Sequence, residues 1–241
     1  MMNSRRYGSV AVSHQSALVL HGLPAWSLSL DEVHVNRLDS HGAGRSIGVR
    51  EHVGKVPSED LTVVNGRLVT TVPRAVVETA CTAAFEAAVV VADEAARTHR
   101  ISAQEWARLL ETVEFWPGSP TARAALEFMN PLSESVGESR LRVLMSNHDL
   151  PTPELQVDFH DTNGFVARVD FHFPAYGVVV EFDGMTKYAD ASAQVLIQEK
   201  IREDRLRALG LQVIRVTWAD LASPDRFITH LRRALSRAAA A

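Results

Sequence analysis

The residues most able to do chemistry lie in two consecutive segments, Arg168-Val169-Asp170-Phe171-His172-Phe173 and Val178-Val179-Val180-Glu181-Phe182-Asp183. Both read as strands, and Ala175-Tyr176 fits the turn between them. That turn pairs Pro174 with Gly177 and Phe173 with Val178, which sets Asp170 opposite Glu181. Cross-strand partners share a face, with Cβ atoms about 4.5–5.5 Å apart. Side chains alternate along a strand, so Asp183 joins them. One face then holds Val169, Phe171, Phe173, Val178, Val180 and Phe182, a core. The other holds Arg168, Asp170, His172, Val179, Glu181 and Asp183. Three converging carboxylates repel one another and call for a cation, a shared proton or a basic partner. Mg²⁺ suits such oxygens and keeps waters for phosphate groups. A metal there polarises a phosphoryl oxygen and activates water. The competing reading is a polar face neutralised by Arg168 and by arginines of the next helix.

A preceding strand, about 154–160, ends at Asn163-Gly164, which fits a two-residue hairpin loop. Asp158 then pairs with Val169 and points away from Asp170. Val157-Asp158-Phe159-His160 thus repeats Val169-Asp170-Phe171-His172 in letters, yet stays outside the cluster.

The surrounding elements follow an α-β-β-β-α-β order. A helix at Glu138–Asn147 precedes strands at about 154–160, 165–173 and 178–183. A helix at about 191–209 stops at Gly210, a natural C-cap. A strand at Gln212–Thr217 and a helix from Pro224 complete the chain. Before Asn130–Val136, a polar boundary containing Pro131, the pattern differs. A helix capped by Ser13 is followed by short β-rich segments at Glu32–Asn36, Ser46–Glu51, Asp60–Val64 and Arg67–Thr71. Asn65-Gly66 marks a hairpin. Pro73 opens a helical run through Ala96. Two more helices follow Ser102 and Trp116-Pro117-Gly118. The reading is an α/β protein with an α+β region over 1–130 and a second domain over 134–241.

With 241 residues, one or two domains are expected. The formal net charge of −4 gives no sign of a polybasic binder, and 46% hydrophobic residues exclude a disordered chain. Cys81 is the single cysteine, so no internal disulfide or multi-Cys zinc site can form. No run is long and apolar enough for a membrane span, and no signal-peptide pattern follows Met1. The expectation is a cytoplasmic protein without membrane contact. His14 and His21 are seven apart but lack a third ligand, and Cys81 reads as a small core residue. Lys55, Lys187 and Lys200 are the only lysines.

The spaced motifs Val169-Asp170-Phe171, Val180-Glu181-Phe182-Asp183-Gly184, Glu199-Lys200 with Arg202-Glu203-Asp204-Arg205-Leu206, and Val213-Ile214-Arg215-Val216-Thr217-Trp218 carry a resemblance. They resemble the domain-of-unknown-function family 559, which is similar to very-short-patch-repair endonucleases of the PD-(D/E)XK type. The resemblance spans about Glu134–Ala238 and implies a restriction-endonuclease-like fold. Val10–Asn130 resembles the region before such domains in actinobacterial AbiEi-antitoxin-like proteins. Ser13-His14-Gln15-Ser16-Ala17, Leu20-His21-Gly22-Leu23-Pro24, Val91-Ala92-Asp93 and Trp116-Pro117-Gly118 carry it. The winged helix usual at the front of those proteins has no counterpart here; either it was lost or the start lies upstream.

The resemblance implies roles. Asp170 and Glu181 would bind Mg²⁺ or Mn²⁺, with Glu138 and Asp183 as further ligands. Glu138 also suits a helix N-terminus for its charge alone. Asp183 stands where the family pattern has lysine, a basic group that would steady developing charge. Lys200 is the substitute, unless it pairs with Asp204 at i+4. Arg202, Arg205 and Lys187 would contact phosphates, with Arg207 beside them; a salt-bridged helix face is the plainer alternative. The function expected is metal-dependent hydrolysis of nucleic acid, DNA favoured over RNA. The alternative is a non-catalytic, antitoxin-like DNA-binding protein that keeps the fold, or a module for a protein partner in a toxin–antitoxin or defence setting.

Overall fold

A computed structural model describes residues 10–39, 45–184 and 193–238. The chain is α/β and divides into two compact units, Met1–Pro131 and Leu132–Ala241.

The first unit is built on a mixed sheet. Its strands are β1 (Val10–Val12), β2 (Val33–Arg37), β3 (Arg45–Ser46), β4 (Val49–Val53), β5 (Leu61–Val64) and β6 (Arg67–Thr70), in the order β3-β4-β2-β1-β6-β5. Sequence reading missed β1, which is three residues long. It merged β3 and β4, which Gly48 separates at φ 73°. The β5–β6 hairpin forms on Asn65-Gly66, both at positive φ (50° and 73°), as a primed turn needs.

Helix α1 is His14–Leu20, α2 is Val72–Ala80, α3 is Phe85–Thr98, α4 is Ala103–Thr112 and α5 is Ser119–Phe128. The single helix expected to run through Ala96 is thus two helices. The chain breaks at Cys81–Ala84, where Gly118 presses on Cys81. A Cβ at Gly118 would sit 1.7 Å from the Cys81 carbonyl oxygen. Ser102 caps α4 by accepting the Glu105 N–H. The core joins α1, α2, α3 and α4 through Leu18, Val76, Val91, Trp106 and Leu109. Within this unit Arg74 is buried between Asp60 and Glu78, at 3.2 and 2.8 Å. Such a network is strongly destabilised by loss of one member.

The second unit runs α6 (Val136–Asn147), β7 (Glu154–Asp161), β8 (Gly164–Phe173), β9 (Val178–Asp183), α7 (Ala193–Ala208), β10 (Gln212–Thr217), α8 (Trp218–Ala222) and α9 (Asp225–Ala238). The sheet order is β10-β9-β8-β7; β10 is parallel to β9 and the other pairs are antiparallel. Phe171, Phe173, Val178 and Val180 pack with Leu141 and Met145 of α6 and with Phe227, Ile228 and Leu231 of α9. Val169 instead joins Val179, Val166 and Leu206 of α7 in a second cluster. The left-handed backbone at Gln156, opposite Asp170, interrupts the alternation at that point.

Candidate functional site

The β8–β9 hairpin turns through a 3₁₀ segment at Pro174–Tyr176 and through Gly177 at φ 57°. Its pairs are Phe173↔Val178, His172↔Val179 and Phe171↔Val180. The next position sets Asp170 against Glu181. Here a side chain takes over from the ladder: the Phe182 N–H donates to Asp170 Oδ2 at 2.7 Å.

The first hairpin differs from the expected register by one residue. Asp161 pairs with Gly164, a bulge falls at Phe159/His160, and Asp158 faces Arg168 rather than Val169. The turn lies one position earlier, over Thr162-Asn163, where Asp161 Oδ1 accepts the Asn163 N–H at 2.7 Å, and the bulge at Phe159/His160 leaves the strands beyond it one residue out of the expected register. A one-residue slip moves every side chain to the other face. Glu154 is thereby set opposite His172 and Asp158 opposite Arg168, and since Leu155 and Val157 join different core clusters, the two sides of the strand exchange faces at Gln156. Arg168 Nε binds Asp158 at 2.8 Å, away from the carboxylate cluster.

Gln156 becomes part of the site, which sequence reading missed. Its φ of 53° is unusual for a residue with a side chain. Its amide donates to Glu138 Oε2 at 3.0 Å and also hydrogen-bonds Asp170. Glu138 is in the first turn of α6, held by the Glu134 N–H at 2.9 Å and the Ser135 hydroxyl at 2.8 Å. Gly137 before it lies against the Phe182 ring, where a Cβ would come within 2.0 Å. Bare backbone at Gly137 thus lets the α6 N-terminus reach the end of β9.

Glu138, Asp170 and Glu181 form one electrostatic group. Burial pushes all three carboxyls above the ordinary range, and Asp170 raises both Glu138 and Glu181 further. Glu181 Oε2 accepts from Arg202 at 2.9 Å. Glu181 Oε1 is buried with no hydrogen-bond partner. Arg202 also binds Glu199, at 2.8 and 3.1 Å.

The other candidates lie further out. Asp183 is 3.8 Å from Arg215, which stands beside Glu181 in the β9–β10 register and also pairs with Glu199 and, at 3.2 Å, Glu203. Lys200 pairs with Asp204 at 3.1 Å, both side chains more than half exposed. Arg205 is clamped to Asp161 by two bonds of 2.8 Å. Lys187 lies outside the described residues. An open groove of about 670 Å³ runs along α7, lined by Gln194, Gln198, Glu199, Arg202 and Arg205. Arg202 thus belongs both to the groove and to the carboxylate cluster.

The chain is similar to an uncharacterized protein of Mycobacterium tuberculosis (strain CDC 1551 / Oshkosh) and to one of strain ATCC 25618 / H37Rv. Each is 30% identical over 176 residues, covering 73% of this chain. The match spans 64% of either relative's length. No family profile matches the sequence, and no solved structure does.

Proposed function

We propose that the second unit is a restriction-endonuclease-like domain whose Asp170–Glu181 pair holds Mg²⁺ or Mn²⁺ for hydrolysis of nucleic-acid phosphodiester bonds, DNA before RNA. One observation carries this reading: Glu181 Oε1 is a buried, unpartnered oxygen in a group with Asp170 and Glu138. An oxygen-only donor set of this kind fits a hard divalent cation. Asp170 and Glu181 would be the ligands; Glu138 stands outside, since the three carboxylates do not bring one oxygen each within 4.8 Å of one another and both Glu138 oxygens accept other hydrogen bonds. Asp183 has an arginine partner and is the weaker candidate. The ion would supply Lewis acidity toward a phosphoryl oxygen and toward water.

The chain's own groups do the rest. Gln156 orients Glu138 and Asp170 together. Arg202 neutralises Glu181 and faces the α7 groove, where a phosphate backbone would lie. Lys200 is tied to Asp204, so Arg202 is the better placed basic group. No helix among the described residues is long and apolar enough to cross a membrane.

The non-catalytic reading also has support. Arg202 and Arg215 neutralise Glu181, Glu199 and Asp183 without any metal. Metal binding separates the two. Mn²⁺ titrated into the chain should bind, and Asp170→Asn should abolish binding at the carboxylate site. Unchanged binding in the variant, or none in the parent, would favour the non-catalytic protein. Salt-dependent DNA binding without cleavage would then be its expected activity.

A further inference from the structure

We propose that His14, His34 and His52, in the first unit, form a binding site for a transition-metal ion of the Zn²⁺ class, with one coordination position left to water or an anionic oxygen. Sequence reading paired His14 with His21 and found no third ligand. His21 in fact lies on the Thr70 carbonyl at 2.8 Å. The partners of His14 come from the sheet instead. β2 and β4 are parallel neighbours with Asn36 opposite His52, so His34 and His52 share a face two positions apart. The Ser13 N–H donates to the His34 carbonyl at 2.9 Å, which brings the start of α1 onto that face.

A ring nitrogen from each histidine lies within 4.8 Å of the other two. His34 Nδ1 and His52 Nε2 are 3.0 Å apart; the His14 and His52 rings stack at 3.7 Å, so one of the two must turn for both in-plane lone pairs to meet one ion. Nitrogens about 2.0–2.1 Å from one zinc are roughly 3.0–3.4 Å apart, so the widest pair must close by up to about 1.4 Å.

Two further observations point to a ligand. His14 is fully buried, yet its Nε2 has no partner. His14 also opens a helix at φ 51°, a conformation a β-carbon resists. The other ring nitrogen is provided for: Nδ1 is 3.0 Å from the Ser13 hydroxyl and 3.7 Å from Glu78. A carboxylate behind the imidazole is the usual support of a metal-ligating histidine. Glu78 is fixed by Arg74 at 2.8 Å and Asn36 at 2.6 Å.

The charges are mixed. Arg50 and Arg74 oppose a cation, Glu78 and Glu32 favour one, and Arg50 would welcome an anion in the open position.

The test uses the untagged full chain, stripped with chelator, in a Glu181→Ala background that removes the acidic cluster. Co²⁺ is the spectroscopic probe and Zn²⁺ the competitor. The expected result is one Co²⁺ per chain with visible bands of nitrogen coordination, displaced by Zn²⁺. His52→Gln, at a half-buried position, should weaken binding by more than about 100-fold, and His34→Gln should do the same. His160→Gln, outside the cluster, should change nothing. Circular dichroism verifies that each variant is folded. No Co²⁺ spectrum and no thermal stabilisation of the folded parent by Zn²⁺ would overturn the proposal. So would equal binding by a folded His52→Gln or His34→Gln variant.

Discussion

Arg202 holds one oxygen of Glu181 at 2.9 Å and leaves the other buried without a partner. That asymmetry sets the first prediction. A divalent cation and the Arg202 guanidinium compete for the same carboxylate. Arg202→Gln should therefore bind Mn²⁺ more tightly than the parent, by calorimetric titration. It should also be less stable in metal-free buffer, by about 1–3 kcal/mol in urea denaturation, because a partly buried charge loses its partner. Unchanged Mn²⁺ affinity would mean that Glu181 is not a ligand.

The raised carboxyls predict a pH dependence. Burial is the largest cause at Glu181, and the native state holds its proton more firmly than the unfolded chain. Its contribution to stability is fully present below the unfolded pKa and is lost as pH rises through the folded one. Glu181→Gln removes that loss. In the absence of metal it should be more stable than the parent at neutral pH, and the difference should vanish as pH falls below the ordinary carboxylate range. Urea denaturation across pH reads this directly.

Gln156 separates backbone strain from side-chain chemistry. Both Gln156→Gly and Gln156→Ala lose the amide that bridges Glu138 and Asp170. Only glycine accepts φ 53° without strain. The glycine variant should be more stable than the alanine variant by about 1 kcal/mol. Equal stabilities would show that the left-handed backbone relaxes when the amide is gone.

Two glycines are fixed by contact. Gly137→Ala drives a methyl group into the Phe182 ring, which can shift, and should cost about 1–3 kcal/mol. Gly118→Ala drives it into the Cys81 backbone, which cannot shift as a side chain does, and should cost more. Thermal melting of the two variants ranks them.

Much of the second unit was legible because its pattern is local. The Phe173↔Val178 register follows from one turn at Gly177; beyond Phe171↔Val180 the ladder ends, and Asp170 reaches β9 through its side chain, at the Phe182 N–H. The first hairpin was misread because its turn sits one position earlier and a bulge at Phe159/His160 then shifts the register by one residue, which reverses a face. The sequence places Arg202 on the helix after the cluster, as a phosphate contact or a neutralising charge, but its bond to Glu181 and the place of Arg215 depend on how α7 and β10 lie against β9. Gln156 escaped because glutamine has no preference for positive φ. The histidine cluster was hidden for a topological reason: β2 pairs in parallel with β4 across the intervening β3, so residues 18 apart become neighbours.

The central claim concerns the carboxylates, and cleavage tests it most directly. Labelled single- and double-stranded DNA and RNA would be incubated with the full chain in Mg²⁺ or Mn²⁺, against EDTA and a Glu181→Ala variant. The account predicts metal-dependent cleavage of DNA that EDTA stops and the variant lacks. Cleavage that persists in Glu181→Ala, or no cleavage of any substrate under either metal, would contradict it.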